Sequence, residues 1–350
     1  MSTETTQIPQ VQKVWRVVGS GLPAKALKLE EIPVPSDLQP GEVLVKIQAA
    51  ALNPVGYKLM KMLPNWLAKR PHVAENDFAG VVVDANGTAF ANGDEVFGWI
   101  PTDLQQKTSQ GCLAQYARVP VDYFVKKPNN ITPTEAAGIT LTAATAYKGL
   151  VEIAQIEEGQ SVFINGGSSS VGIFAIQIAK SKGCKVVASC SSKNTDFVKS
   201  LGADEVLDYK ASPLSQQLTT NPPTPKFHVI FDCIGLTSPE LYTKSAPYLA
   251  PNGIFVTVGF NVSSLKQVPG ILRTAVNAFL IPAWLGGVKP KWKVFVVTNR
   301  KERLDDIRKL VQDGTVKPVV DSTYEFEDAL KAFDKLMSER AVGKVVVNVV

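Results

Sequence analysis

The sequence predicts an α/β protein of two parts, a β-rich first region and a doubly wound parallel sheet, and three observations carry that prediction. Strand-and-turn patterning runs from Val14 to about Thr134. From Gln160 onward, short apolar strands alternate with helical periodicity. Within that second stretch a strand, a turn of glycines and serines, and a helix follow one another directly between Ser161 and Gly183.

In the first region, residues 42–50 alternate around Val43, Val45 and Ile47, and Pro40-Gly41 supplies the turn before them. Short runs at 80–83 and 95–99 read the same way. The character changes at Pro133, after which 134–146 is alanine-rich and helix-like. Strands are then expected at 161–164, 185–189, 205–207, 227–232 and 253–259, with 293–297 as a sixth. Helices are expected through Ala175, Ile176 and Ile178, at 194–201 and at 301–312, and 344–349 closes the chain as a strand.

Bulk properties narrow the function. The 350 residues are 45% hydrophobic and 20% charged, enough for two cores. A net charge of +5 is dispersed along the chain, so nucleic acid is not the expected partner, while an anionic cofactor is compatible. The apolar stretch at 275–288 is interrupted by Pro282 and falls short of the ~20 residues of a membrane span. The polar start lacks the features of a secretion or organelle signal, and Cys112, Cys184, Cys190 and Cys233 form no CxxC pair. A cytoplasmic protein with reduced thiols is expected.

Chemistry enters at Gly166-Gly167-Ser168-Ser169-Ser170-Val171-Gly172. Between a strand and a helix, such a turn directs backbone N–H groups and the helix dipole at a pyrophosphate. Gly166 permits the tight turn, Gly172 permits close helix–strand packing, and the serines add hydroxyl donors. An Asp or Glu about 20 residues further on would bind a ribose diol. Here the next strand runs instead into Cys190-Ser191-Ser192-Lys193-Asn194. Ser191 and Lys193 suit a 2′-phosphate, so NADP(H) is the expected cofactor. Ser192 or Asn194 capping the next helix, with Lys193 solvated, is the plainer alternative, and the two roles can coexist.

With these come Ala51-Leu52-Asn53-Pro54, Gly111-Cys112-Leu113-Ala114-Gln115-Tyr116, Thr145-Ala146-Tyr147, Leu201-Gly202-Ala203-Asp204 and Gly343-Lys344-Val345-Val346. On these motifs the sequence resembles the medium-chain dehydrogenase/reductase superfamily, in its zinc-independent quinone oxidoreductase and enoyl reductase branch, with a likeness to fungal trans-enoyl reductases. The resemblance implies a GroES-like catalytic domain at 1–134 that resumes at 300–350, a Rossmann NADP(H)-binding domain at 135–299, an active site in the cleft between them, and a homodimer paired through the strand around 293–297. It further implies that Ser168 to Val171 line the pyrophosphate, Ser191 to Asn194 the 2′-phosphate, and Tyr209 the adenine. Thr145 is implied near the carboxamide, and Asn53 and Tyr57 near the nicotinamide ribose or substrate. Gly259 and Gly343 are implied to approach the cofactor by backbone. Two positions depart from the branch: Ser169 replaces a common glycine, and Gly56 stands where relatives often carry Asp, which removes an orienting carboxylate.

Zinc-dependent members need convergent Cys and His ligands. Asn53 and Asn76-Asp77-Phe78 stand at the corresponding places, so no metal is expected. His72 follows Pro71 in a loop, and His228 lies in an apolar strand as a structural histidine. Without a metal, hydride transfer suits an electron-poor acceptor: an enone, enal, enoyl chain or quinone. Tyr57 is the candidate donor and Asn53 the orienting group, with solvent as an alternative proton source. Trp66, Trp99, Phe260, Phe279 and Trp284 are candidate cleft or core aromatics. Three functions fit: a reductase of small-molecule electrophiles, a cofactor-binding, crystallin-like structural or regulatory protein with little turnover, and an alcohol dehydrogenase.

Overall fold

The alternation around Val43, Val45 and Ile47 becomes a ten-residue strand because all three side chains enter one core and are fully buried. The computed structural model describes residues 8–235, 239–259 and 291–349. The chain divides into two units, Met1–Leu141 with Thr298–Asp313 and Pro318–Val350, and Thr142–Val297 with Gly314–Lys317. The sequence-based limits were 134 and 299; the structure keeps 135–141 in the first unit and returns 314–317 to the second.

In the first unit, β1 (Val11–Val17), β2 (Leu27–Pro33) and β4 (His72–Val73) form a small sheet in the order β2-β1-β4. The strand already described is β3 (Glu42–Ala51), and with β5 (Asp77–Asp84), β6 (Glu95–Trp99), β7 (Tyr116–Pro120) and β8 (Phe124–Lys126) it builds the main sheet. β3 pairs antiparallel with β5 and β7, which brings Ala51 opposite Asp77. His72 lies on β4, paired with Val17, and not in a loop. Trp99 is buried and Trp66 is 83% exposed, whereas Phe260, Phe279, Trp284 and the apolar stretch at 275–288 lie outside the described residues.

The second unit carries β9 (Ser161–Asn165), β10 (Lys185–Cys190), β11 (Glu205–Asp208), β12 (Phe227–Asp232), β13 (Leu249–Thr257) and β14 (Lys291–Val294). They form one parallel sheet in the order β11-β10-β9-β12-β13-β14. The helix expected at 134–146 is broken at Gly138 into Pro133–Ala137 and Thr140–Tyr147, and continues as a π-helix, Lys148–Ile153. A Cβ at Gly149 would press on the Phe231 ring, so glycine lets this turn approach the sheet. Strand β14 ends at Val294 and not at 297, opposite Thr257 where β13 itself ends, and beyond it Lys148 Nζ donates to the Val296 carbonyl at 2.8 Å.

The chain then returns to the first unit, where β15 (Val320–Glu325) and β16 (Lys344–Asn348) pair parallel, and β16 pairs antiparallel with β3. Lys344 therefore begins a strand beside the end of β3. Among the described residues no helix is long and apolar enough to cross a membrane.

Candidate active and cofactor site

The glycine–serine turn of the second unit has a defined shape. Gly166 takes φ +88°, a left-handed conformation that favours glycine, and a Cβ at Gly172 would collide with the Gly166 carbonyl. Ser169 is the N-cap of the Ser170–Ser181 helix, its Oγ accepting from Gly172 N–H at 3.0 Å. The departure from glycine at 169 thus has a local use. The turn is tied to the next strand by Gly167 N–H to Ser189 O at 2.7 Å and Gly166 N–H to Ser189 Oγ at 2.9 Å. Ser168 and Ser170 are part-buried, and Val171 flanks them on the first turn of the helix. This cradle, which side chains at 166 and 172 would close, fits a dinucleotide pyrophosphate.

At the end of β10, Ser191 is the N-cap of the single 3-10 turn Ser192–Asn194 and is 3% exposed, whereas Ser192 and Lys193 face solvent. Burial leaves Lys193, more than Ser191, as the group open to an anion. Asp208, opposite Cys190 in the sheet register, is a carboxylate that the linear reading does not place here. Its Oδ1 accepts from Lys210 N–H at 2.8 Å. Tyr209 follows it, half exposed, with its N–H on Cys190 O at 3.3 Å. Thr145 is buried on the Thr140–Tyr147 helix, and Gly259 takes φ +123° just beyond β13.

Sequence reasoning missed a polar row across the strand ends of this sheet. Ser189 Oγ donates to Asn165 Oδ1 at 2.8 Å, Asn165 Nδ2 to Asp232 Oδ1 at 2.8 Å, and Thr257 Oγ1 to Asp232 Oδ2 at 2.7 Å. Thr257 Oγ1 also accepts from Gly259 N–H at 3.2 Å. Burial pushes the Asp232 carboxyl up to about 6 against the pull of the Thr257 and Asn165 bonds. The signal was a polar residue at or next to the end of each of four strands.

In the first unit, Asn53 occupies the N-cap of the Pro54–Met62 helix but makes no side-chain cap bond. Its amide is engaged elsewhere: Oδ1 accepts from Lys344 Nζ at 2.7 Å, and Nδ2 donates to Asp77 Oδ2 at 2.9 Å and Ala51 O at 3.3 Å. Asp77, fully buried, also takes Lys344 Nζ at 3.0 Å, Thr140 Oγ1 at 2.6 Å and Leu141 N–H at 2.8 Å. Asn53, at 1% exposure, is locked in place. One turn along that helix, Tyr57 is part-buried against the core. Burial, then the negative charge of Glu339, push its phenol above the usual value, which keeps it a neutral donor at physiological pH.

Beside this cluster Glu75 is 2% exposed, and its Oε2 accepts from Asn53 N–H at 3.0 Å. Burial pushes the Glu75 carboxyl up to about 8, only partly offset by Lys344 and the Asn53 bonds. A Cβ at Gly56 would collide with Glu75 Oε1. The carboxylate thought to be lost with Gly56 is therefore corrected: a carboxyl from another segment stands there. Gly343 takes φ +103° ahead of β16, where a Cβ would meet the Val319 carbonyl.

Residues 39–129 match the alcohol dehydrogenase GroES-like domain family, and 201–347 the zinc-binding dehydrogenase family. The chain is 33% identical to the trans-enoyl reductase pgmF of Aspergillus terreus, over 98% of this chain and 97% of that protein. The chain belongs to the medium-chain dehydrogenase/reductase superfamily. Among the superfamily's relatives, the human mitochondrial NAD(P)H oxidoreductase RTN4IP1 is 31% identical over 89% of this chain and 82% of its own length. A solved quinone oxidoreductase from Coxiella burnetii shares the fold with a TM-score of 0.78 at 24% identity, covering 97% of this chain and all of that one. Like these relatives, this superfamily member is an oxidoreductase with a GroES-like and a Rossmann part.

A zinc ion, as bound by zinc-dependent members of this superfamily, would need convergent donors. Among the described residues no group of three or more His, Cys, Asp and Glu side chains is placed to hold a metal ion. Asp77 already carries the Lys344 ammonium. The Cys112 thiol is pushed well up by burial and donates to Asn76 O at 2.7 Å. Amides, a paired carboxylate and a protonated thiol do not make a zinc site.

Proposed function

We propose that this dehydrogenase/reductase is an NADPH-dependent, zinc-independent reductase that delivers hydride to a conjugated carbonyl (enone, enal or enoyl) or to a quinone. The observation that carries the zinc-free chemistry is the Lys344 ammonium, bonded at once to Asn53 and Asp77 where a metal-dependent member would need ligands. NADPH, when bound, supplies hydride from the nicotinamide C4 to an acceptor that needs no metal to polarise it. Gly166, Ser168, Ser169, Ser170, Val171 and Gly172 hold its pyrophosphate by backbone N–H and hydroxyl groups at a helix N-terminus. Lys193, with Ser191, Ser192 and Asn194, takes the 2′-phosphate. Tyr209 lies by the adenine, Thr145 by the carboxamide, and Gly259 and Gly343 approach the cofactor by backbone.

Tyr57, held neutral, donates to the acceptor's carbonyl oxygen and stabilises the enolate or hydroquinone oxygen that develops. Asn53 acts by position, because its amide is held on both sides. The partner is a small electrophile, the compartment is the cytoplasm, and the assembly is a homodimer joined along β14, the edge strand of its sheet among the described residues. Steady-state NADPH oxidation with quinones, enals, enones, simple ketones and alcohol–NADP+ pairs tests the reaction. Turnover confined to conjugated acceptors and quinones is expected. Turnover of simple alcohols, or none despite NADPH binding, would reject it.

A further inference from the structure

Four observations converge on Glu75. It is a non-glycine residue at φ +61°, a left-handed conformation that costs backbone energy. Its Oε2 holds the Asn53 N–H at the start of the Pro54–Met62 helix, while its buried Oε1 has no hydrogen-bond partner among the described residues. Gly56 supplies the space into which that oxygen projects. Finally, Glu75 and Gly56 line a pocket with about 20 Å³ of space, room for one water, together with Arg70 and His72, whose buried Nε and Nδ1 likewise lack partners among the described residues.

We propose that this cavity is a buried-water site and that Glu75, as a neutral carboxylic acid, is the positioning residue that fixes the start of the Pro54–Met62 helix and hence Tyr57. The hydrogen bonds balance. The water accepts from the Glu75 carboxyl O–H and Arg70 Nε–H, and donates to His72 Nδ1. Burial, opposed by a Lys69 backbone hydrogen bond and aided by the nearby Arg70 and Arg16 charges, lowers the His72 value and favours the neutral imidazole, which has one nitrogen able to accept. Charge balances too. The groups facing Glu75 are Lys344, Asp77, Arg70, His72 and the Cys112 thiol, and Lys344 is already paired with Asp77. Arg70 donates to Asn65 Oδ1 and to the Met60 carbonyl, both neutral acceptors, and among the described residues it forms no ion pair with Glu75, so an ionised Glu75 carboxylate would lack a direct counter-ion.

The kinetic arm of the test rests on the proposed reductase reading, and the stability arm does not. Parent, Glu75→Gln, Glu75→Ala and Gly56→Ala proteins are compared for thermal midpoint between pH 5 and 8.5, and for kcat of NADPH oxidation with an enone between pH 6 and 9.5. Glutamine mimics the neutral acid, so Glu75→Gln is expected to keep kcat within about twofold at pH 7 and to escape an alkaline fall shown by the parent. Its midpoint should gain on the parent's as pH rises from 5 to 8. Glu75→Ala, and Gly56→Ala by displacing the carboxyl, should each lose about tenfold in kcat with the KM for NADPH unchanged.

A Glu75→Gln protein as slow as Glu75→Ala, or a midpoint difference that does not vary with pH, overturns the neutral-acid assignment. Gly56→Ala with parental kcat overturns the positioning role. If the parent turns over no acceptor, the reductase reading fails and the midpoint series alone decides on Glu75. A high-resolution crystal structure should show one water between Glu75 and His72; a dry cavity there overturns the water site.

Discussion

Asn53 is a helix-start residue whose amide does not cap its helix, because a buried lysine and aspartate hold it instead. Removing one partner of that buried pair strands the other charge, so Lys344→Ala should cost about 3–5 kcal/mol in urea unfolding. Glu75 sets a pH dependence of a definite sign. Its carboxyl titrates at about 8 in the folded chain against 4.5 ordinarily, so its contribution is fully present below 4.5 and is withdrawn as pH rises toward 8. The slope is about 1.4 kcal/mol per pH unit, read from the difference between parent and Glu75→Gln. For cofactor choice, Lys193→Ala should weaken NADPH about tenfold to a hundredfold in a binding titration and leave NADH nearly untouched. Equal weakening of both would assign Lys193 to the fold or to the shared pyrophosphate. The positions of Asn53 at a helix start and of Lys193 just past a strand end were legible, because motif and strand pattern announce them. Glu75 was not: a single acid in a loop has no periodicity, and only the folded chain puts it against Gly56.

At the level of elements, the glycine–serine turn was read correctly from strand, turn and helix in succession, since its conformational demands are local. What the sequence did not reveal is that Ser169 caps the helix, which depends on the angle at which the chain enters it. Ser169→Ala should therefore lower stability by about 1 kcal/mol in chemical denaturation. Gly172→Ala should damage NADPH binding more, because its methyl group must displace the Gly166 carbonyl. The break at Gly138 and the π-helix after Tyr147 escaped notice for a related reason. Alanine-rich periodicity describes a helix in isolation, whereas here the sheet side chain Phe231 shapes the turn at Gly149.

For the whole molecule, the two-part organisation was visible as a change of pattern near Pro133. The return of 314–317 to the second unit was not, because it is fixed by contacts distant in sequence, such as the Gln177 amide with the backbone of Lys317. Among the described residues β14 is an edge strand of its sheet, which leads us to expect a dimeric mass by sedimentation at micromolar concentration; a monomer there would reject that assembly. The central claim is hydride transfer from NADPH without a metal. It is tested most directly by enone-dependent NADPH oxidation on protein that has been exhaustively chelated and assayed for metal content. Undiminished turnover with no stoichiometric zinc is the predicted result, and one zinc per chain with activity lost on its removal would contradict the account.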